Sequence, residues 1–478
     1  MEDPLKERLR MDGEGSRFLY IGEIKAAGLN RFLVDPISRR YGQPASCIHI
    51  VPDILAHYPE GEFLVINREA ARSTAADGGR INVRVPASSF AADVSRDERV
   101  LDLVRRILDR QGEVLINVFE SKRELSLPDG KGVRLIGPDP ALADFTNNKL
   151  NQYDMVSSLG IPLPAGGAFP DAGEAFRRVE RILKAGKKAF VSGAYSAAGS
   201  NSIIAGTMDE VRAKFGHVSG GLVVTEFIEH DHDPTVLGIV ASEGEVYIAS
   251  VADQNIQGTK FTGSTFPTVL DSQKVASLVE MTRKIGSHLG RQGYRGAFGC
   301  DFIVDRKGRI YFIEINARKQ GTTMETALTM ELRLPGHPTF PELELAAVLE
   351  GRFPEDLEEM DSTRSPVFWG TCNLKVETDL FVQGYVPPSM DERDLFKGAV
   401  GGQPGYVVVD HVGPETSIRA GGFLARVIAA GTSREDVLAG LGEGEKAVRR
   451  SIGTGRSGGP FHDHIGGVGI EGPKKQGT

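Results

Sequence analysis

The chain has little cysteine, no long apolar run and no surplus of positive charge, and each shortage excludes a class of protein. Cys47, Cys300 and Cys372 are the only cysteines in 478 residues. They are odd in number and far apart, which suits neither a disulfide framework nor the close pairs of a zinc site. No apolar run approaches the roughly 18–20 residues of a membrane span, and the charged start MEDPLKERLRMDGEGS holds no apolar signal core. The chain therefore reads as soluble and cytoplasmic, without a membrane partner. A formal net charge of -8 gives no general basic face with which to displace counterions from a phosphate backbone, so nucleic acid is not an expected partner. There is no internal repeat, and no glycine fingerprint of the dinucleotide-binding type opens the first helix.

What is present is an ordinary globular composition, 40% hydrophobic and 25% charged, in a chain long enough for several domains. Short apolar, β-rich runs at 18–21, 47–51, 63–66 and 114–119 are separated by stretches of about ten residues or more, a spacing that predicts βαβ units. Between the last two, 97–110 places Val100, Leu101, Val104, Ile107 and Leu108 on one face of a helix. A small α/β domain over 1–140 follows, with a substrate-side rather than a cofactor role. Asn148 then caps a helix that ends at Gly160 and the breaker IPLP, and strands and helices alternate to about Phe353. Residues 354–366 are acidic and bounded by proline, as a linker would be. Beyond them 367–376, 381–386 and 406–412 read as strands and 433–451 as a helix, before a glycine-rich tail at 455–478.

The most informative segment is GCDFIVDRKGRIYFIEINAR, 299–318. Residues 302–304 and 310–315 read as two strands, and Asp305 and Gly308 suit the tight reversal between them. Such a hairpin brings Asp301 beside Glu314 and Asn316, which lie two apart and so share a face. Three hard oxygen ligands at one point would hold Mg²⁺ and leave positions open for phosphate oxygens. An amphipathic hairpin with solvated carboxylates explains the segment equally well when it is taken alone.

Four motifs in a fixed order distinguish the two. N-K-L-x(8)-L-G-I-P-L-P at 148–164, the strand and glycine/serine-rich turn AFVSGAYSAAGSNSII, the strand LVVTEFIEHDHDPTV and the hairpin ending in E-I-N-A-R together resemble the ATP-grasp superfamily. The resemblance covers about 147–353. It implies an α/β (α+β) ATP-grasp fold at 141–355, preceded by a Rossmann-like α/β pre-ATP-grasp domain at 1–140. A small C-terminal α+β domain at 356–454 and a flexible tail at 455–478 would follow. It further implies ATP, with Mg²⁺ or alternatively Mn²⁺ held by Asp301, Glu314 and Asn316. Lys149 would meet the phosphates, and a loop containing Ser196, Gly199 and Ser200 would close over them. The adenine edge would meet the backbone of Glu226, Phe227 and Ile228, with Asp233 on the ribose. Lys260 stands where some ligases of the superfamily reach the terminal phosphate, and Arg318 suits a substrate carboxylate or acyl-phosphate oxygens.

Two positions depart from the pattern. Ser192 occupies the place of a second phosphate lysine, with Lys187 and Lys188 four or five residues early. The run from Ala317 to Thr323 is similar to that of amino-acid and peptide ligases of the pheganomycin type, but Met324 stands where those carry His. The resemblance implies a carboxylate-amine ligase that joins amino acids or short peptides through an acyl phosphate in specialised metabolism. A small-molecule kinase and a catalytically degenerate nucleotide-binding protein are the alternatives. His230, His232 and His337 are weaker candidates for substrate contact. Trp369, 381–388 and 398–405 suit an acceptor pocket, a homodimer contact or plain packing.

Overall fold

The computed structural model describes residues 15–77, 79–127, 132–195, 201–218, 220–258, 260–452 and 465–466. The N-terminal apolar runs form a five-stranded parallel sheet in the order Glu62–Val65, Ala45–Val51, Ser16–Ile21, Val114–Val118, Val133–Ile136. Asp97 opens the helix Glu98–Gln111 by accepting from Arg99 N, and Gly112, at φ 79°, closes it in the left-handed region. Its buried stripe is Val100, Leu103, Val104 and Ile107. Leu103 thus takes the place expected for Leu101, and Leu101 and Leu108 lie at the margins of the stripe. Because the chain leaves Ser16–Ile21 toward one neighbour and later returns on its other side, the sheet has a topological switch there. Its crevice opens at the carboxyl ends of Ser16–Ile21, Ala45–Val51 and Val114–Val118.

A four-stranded antiparallel sheet follows, in the order Gly166–Phe169, Leu222–Glu226, Ala189–Gly193, Ser202–Ala205. Helices Ala172–Lys184 and Met208–Phe215 bury Val179, Ile182, Val211 and Phe215 in its core. The largest sheet, of ten strands, contains Gly296–Asp305 and Ile310–Asn316 and runs on through Phe368–Val376 and Phe423–Gly431 to Gly405–Val409. It therefore continues across residue 355 without a break.

The expected strand at 381–386 shrinks to Leu380–Val382, and that at 406–412 to Gly405–Val409. Phe423–Gly431, which sequence reading does not mark, pairs with Phe368–Val376 over most of its length. Arg426 interrupts its apolar run, and the fold tolerates that cation in the core because Glu325 meets it at 2.6 Å. Trp369 stacks on Phe266 with ring centroids 5.2 Å apart and donates Nε1–H to Thr329 Oγ1, so it serves the core. Met324 lies in the same cluster, 3% exposed. The 354–366 stretch is packed as well: Met360 is buried in that cluster and Ser362 Oγ accepts from Val251 N. Among the described residues no helix is long and apolar enough to cross a membrane.

Candidate nucleotide and substrate site

The hairpin forms as its turn residues predict. Asp305 Oδ1 accepts from the N–H groups of Lys307 and Arg309, Gly308 N–H closes on Asp305 O, and Gly308 sits at φ 76°, where a side chain would be strained. Asp301 pairs directly with Glu314 across the two strands, and Asn316 Nδ2 donates to Asp301 Oδ2 at 2.9 Å. The three candidate ligands are thus together. Thr235, opposite Asp301 on the next strand, donates its hydroxyl to Asp301 Oδ1 at 2.6 Å. Gln320 lies against both, over Gly299; a Cβ there would come within 2.2 Å of the Gln320 amide, so only glycine admits this packing.

Burial, and then the Glu314 charge, push Asp301 up to about 6. Two crowded carboxylates beside the Asn316 amide, whose oxygen here accepts from Arg318, form an oxygen-rich set that fits a divalent cation. Among the described residues no three His, Cys, Asp or Glu side chains are gathered for a metal; here the third donor is an amide.

Lys149 reaches this set from the first turn of its helix. Asn148 accepts from Leu150 N to start the helix, and Lys149 N–H donates to Ala194 O. Gln152, buried on the next turn, accepts from Ile315 N and donates to Ile315 O and Thr146 O, which clamps the helix to the hairpin. The Lys149 amine consequently rests on Glu314 Oε2. Arg318 donates to Asn316 Oδ1 at 2.8 Å and to Lys319 O, and lies over the Phe119 ring. Gln152, Thr235 and Gln320 are absent from the sequence-based candidates. Their roles depend on partners 66 to 163 residues away, and no local pattern marks them.

At the other end of the same wall, Glu226 N–H donates to Ala165 O and Phe227 N–H to Lys188 O. Ile228 N–H has no hydrogen-bond partner among the described residues and lies in the cleft lining, as an adenine edge would require. Asp233 Oδ1 meets His230 Nε2 at 3.0 Å, and His230 Nδ1 lies 2.7 Å from Ile228 O. Burial pulls the His230 imidazole down, but the bond to Asp233 and its charge, with Ile228 O and Glu229, together raise the group above its ordinary value. Lys187 pairs with the Glu226 carboxylate at 2.6 Å. Ser192 is fully buried and donates to Gly193 O, so its place in the strand offers no cation. Ser196, Gly199 and Ser200 lie outside the described residues.

Lys149, Glu226, Phe227, Ile228, Asp233, Asp301, Glu314, Asn316 and Arg318 all line one cleft of about 820 Å³. Lys260 does not. It begins the strand Lys260–Phe266 at an exposed hairpin tip, and its neighbour Phe261 lines the cleft instead. Neither Trp369 nor the 381–388 segment lines it; the C-terminal wall is made by Asn373, Lys375, Asp410, Gly421 and Phe423. The opposite wall is the switch crevice of the parallel sheet, with Glu23, Lys25, Asp53, Phe119 and Glu120 from its strand ends.

This geometry agrees with what the chain is similar to. Residues 146–322 match the family model described as an ATP-grasp domain, and the chain carries that domain there. The L-propargylglycine--L-glutamate ligase of Streptantibioticus cattleyicolor is 33% identical over 124 residues, covering 26% of this chain and 25% of the relative. The [Butirosin acyl-carrier protein]--L-glutamate ligase of Niallia circulans is 24% identical over 254 residues, covering 52% of this chain and 59% of the relative. The chain thus spans from a quarter to about three-fifths of these curated relatives. A solved complex of biotin carboxylase with β-γ-ATP from Campylobacter jejuni superposes with a TM-score of 0.62 at 15% identity, over 95% of this chain and 92% of that one. At that identity the likeness establishes the fold: an ATP-grasp architecture with a parallel-sheet domain in front and antiparallel sheets behind.

Proposed function

We propose that this protein is an ATP-dependent carboxylate-amine ligase. The observation that carries the reading is the convergence of Asp301, Glu314, Asn316, Lys149 and Arg318 on one wall of a cleft whose far end is lined by Asp233 and by Ile228, whose N–H has no partner among the described residues. Asp301, Glu314 and Asn316 would hold Mg²⁺, which would supply charge neutralisation for the phosphates. Lys149 offsets charge that develops on the transferring phosphoryl group. The planar Arg318 guanidinium orients the donor carboxylate. One carboxylate oxygen attacks the γ-phosphorus and ADP leaves. An amine then attacks the acyl carbon and phosphate departs, so no protein nucleophile is used. An amino acid as one partner is supported by the names of the two relatives, both of which include L-glutamate. A domain limit near residue 140 is supported by closure of the parallel sheet at Ile136, whereas 356–454 is better regarded as an extension of the ten-stranded sheet.

Trapping with hydroxylamine tests the reading. A panel of amino acids and dicarboxylates is incubated with the protein, Mg·ATP and hydroxylamine; the expected result is ADP together with a hydroxamate from at least one acid. A stable phosphorylated product without hydroxamate would point to a kinase, and bound ATP with no ADP from any acid to a degenerate binding protein.

A further inference from the structure

The half of the cleft away from the hairpin is lined by charges of both signs, and some of them lack internal partners. Glu23 is balanced by Lys25 at 2.5 Å; Arg426, which does not line the cleft, is balanced by Glu325 in the core. Arg84 and Lys375 have no ion-pair or hydrogen-bond partner for their side chains among the described residues, although both line the cleft. Main-chain pairing brings them together from opposite ends of the sequence. Asn82, two residues before Arg84, pairs with Ile418 and donates its amide to Phe423 O, and Phe423 pairs with Lys375. Burial, then Arg84 and Lys25, pull the Lys375 amine down, and the smaller opposing influence of Glu23 does not offset them.

The carboxyl side is assembled in the same way. Ala56 N–H donates to His411 O, and a Cβ at Gly413 would meet Ala56 Cβ at 2.5 Å, so the loop after Ala45–Val51 is seated on the C-terminal segment. Asp53 and Asp410 thereby face the same space. Among the described residues the Asp53 carboxyl accepts only from Ile24 N–H, and the Asp410 side chain has no hydrogen-bond or ion-pair partner. Asp410 also holds φ 55°, a left-handed conformation that is strained for a residue with a side chain. Burial, then Glu23, push Asp53 up to about 7, and burial pushes Asp410 up to about 6.

Two cations and two carboxyls line one space, none of them closed into an ion pair among the described residues although Lys25 and Arg426 act on the carboxyls, and together they complement a small molecule that carries both charges. We propose that this half-cleft binds the acceptor as a free α-amino acid, its carboxylate on Arg84 and Lys375 and its ammonium on Asp53 and Asp410. Phe119 links this subsite to the acylation end, since Lys25 lies 4.7 Å and Arg318 5.8 Å from the same ring. A carboxyl titrating near neutrality can take the proton that an ammonium must lose before its nitrogen attacks. The proposal rests on the ligase reading and names the acceptor class for it.

The test is calorimetric titration of the full chain with each standard amino acid, its decarboxylated amine and its N-acetyl derivative, with and without Mg·AMPPNP. At least one amino acid is expected to bind, with both derivatives at least about tenfold weaker, since each loses a charge pair. Arg84→Ala and Lys375→Met are each expected to weaken that amino acid about tenfold or more and to leave Mg·AMPPNP affinity unchanged; Asp410→Asn should do the same. Lys375→Met keeps the half-buried stem, and Arg84 is exposed, so neither change threatens folding. Absence of any amino-acid binding, equal binding of the amine, or binding insensitive to all three substitutions would overturn the proposal. Failure of Mg·AMPPNP to bind would instead remove the nucleotide reading, because amino-acid recognition is scored separately without it.

Discussion

Replacing Glu314 by Ala is expected to lower ADP formation by at least about 10²–10³-fold, the scale on which one preorganised electrostatic group contributes to a transition state. Glu314 carries a double load. It supplies one of two carboxylates to the candidate cation set, and it is the group on which the Lys149 amine rests. Its loss therefore weakens the cation site and frees the lysine at once. Folding should survive, because the hairpin keeps its main-chain pairing with Gly296–Asp305 and its clamp to Gln152. A coupled ADP assay with saturating Mg²⁺, beside a thermal melt within a few degrees of wild type, checks both halves of the statement. Glu314→Gln separates charge from shape, and it should be nearly as impaired. Near wild-type ADP release by either variant would remove Glu314 from the machinery.

The largest effect on stability is expected at the neighbouring Lys319. Lys319 and Glu344 are each 1% exposed and meet at 2.6 Å. Lys319 Nζ also donates to Val118 O, its N–H donates to Phe119 O, and Glu344 Oε1 accepts from Ala297 N. The pair therefore pins four pieces together: the end of a parallel strand, the turn after the hairpin, the helix Phe340–Glu350 and the strand Gly296–Asp305. Lys319→Met preserves the stem but leaves a buried carboxylate without its cation, which costs about 3–5 kcal/mol. Lys319→Met combined with Glu344→Gln should recover more than half of that loss, because the amide can still accept from Ala297 N and no bare charge is left. Denaturant unfolding of the two variants measures this. A single-variant loss below about 1 kcal/mol would show that the pair is solvated or dispensable.

The parts of this site that sequence reading finds are the parts that local chemistry builds. Asp305 and Gly308 mark the turn, the strand period puts Glu314 and Asn316 on one face, and Asn148 marks the start of the lysine helix; each lies within a few residues of what it determines. The βαβ spacing of the first 140 residues is legible for the same reason. What escapes is set by distant pairing. Arg84 and Lys375 meet through Asn82 and Phe423, separated by 341 residues, and Asp410 meets Asp53 through the Ala56–His411 bond. Phe423–Gly431 is obscured because Arg426 breaks its apolar run, and its partner Glu325 lies in a different element. Lys260 is the opposite case. It stands at a familiar place in the order of motifs, yet the pairing of Lys260 with Gln257 sets it at a hairpin tip outside the cleft lining.

Diffraction from crystals grown with AMPPNP and Mn²⁺, collected at the manganese edge, bears most directly on the nucleotide site. The account requires an anomalous peak at about 2.1 Å from oxygens of Asp301, Glu314 and Asn316, with the triphosphate beside it and the base against Ile228. A nucleotide bound elsewhere, or a manganese peak that leaves those three side chains bonded only to Thr235, Lys149 and Arg318, would contradict it.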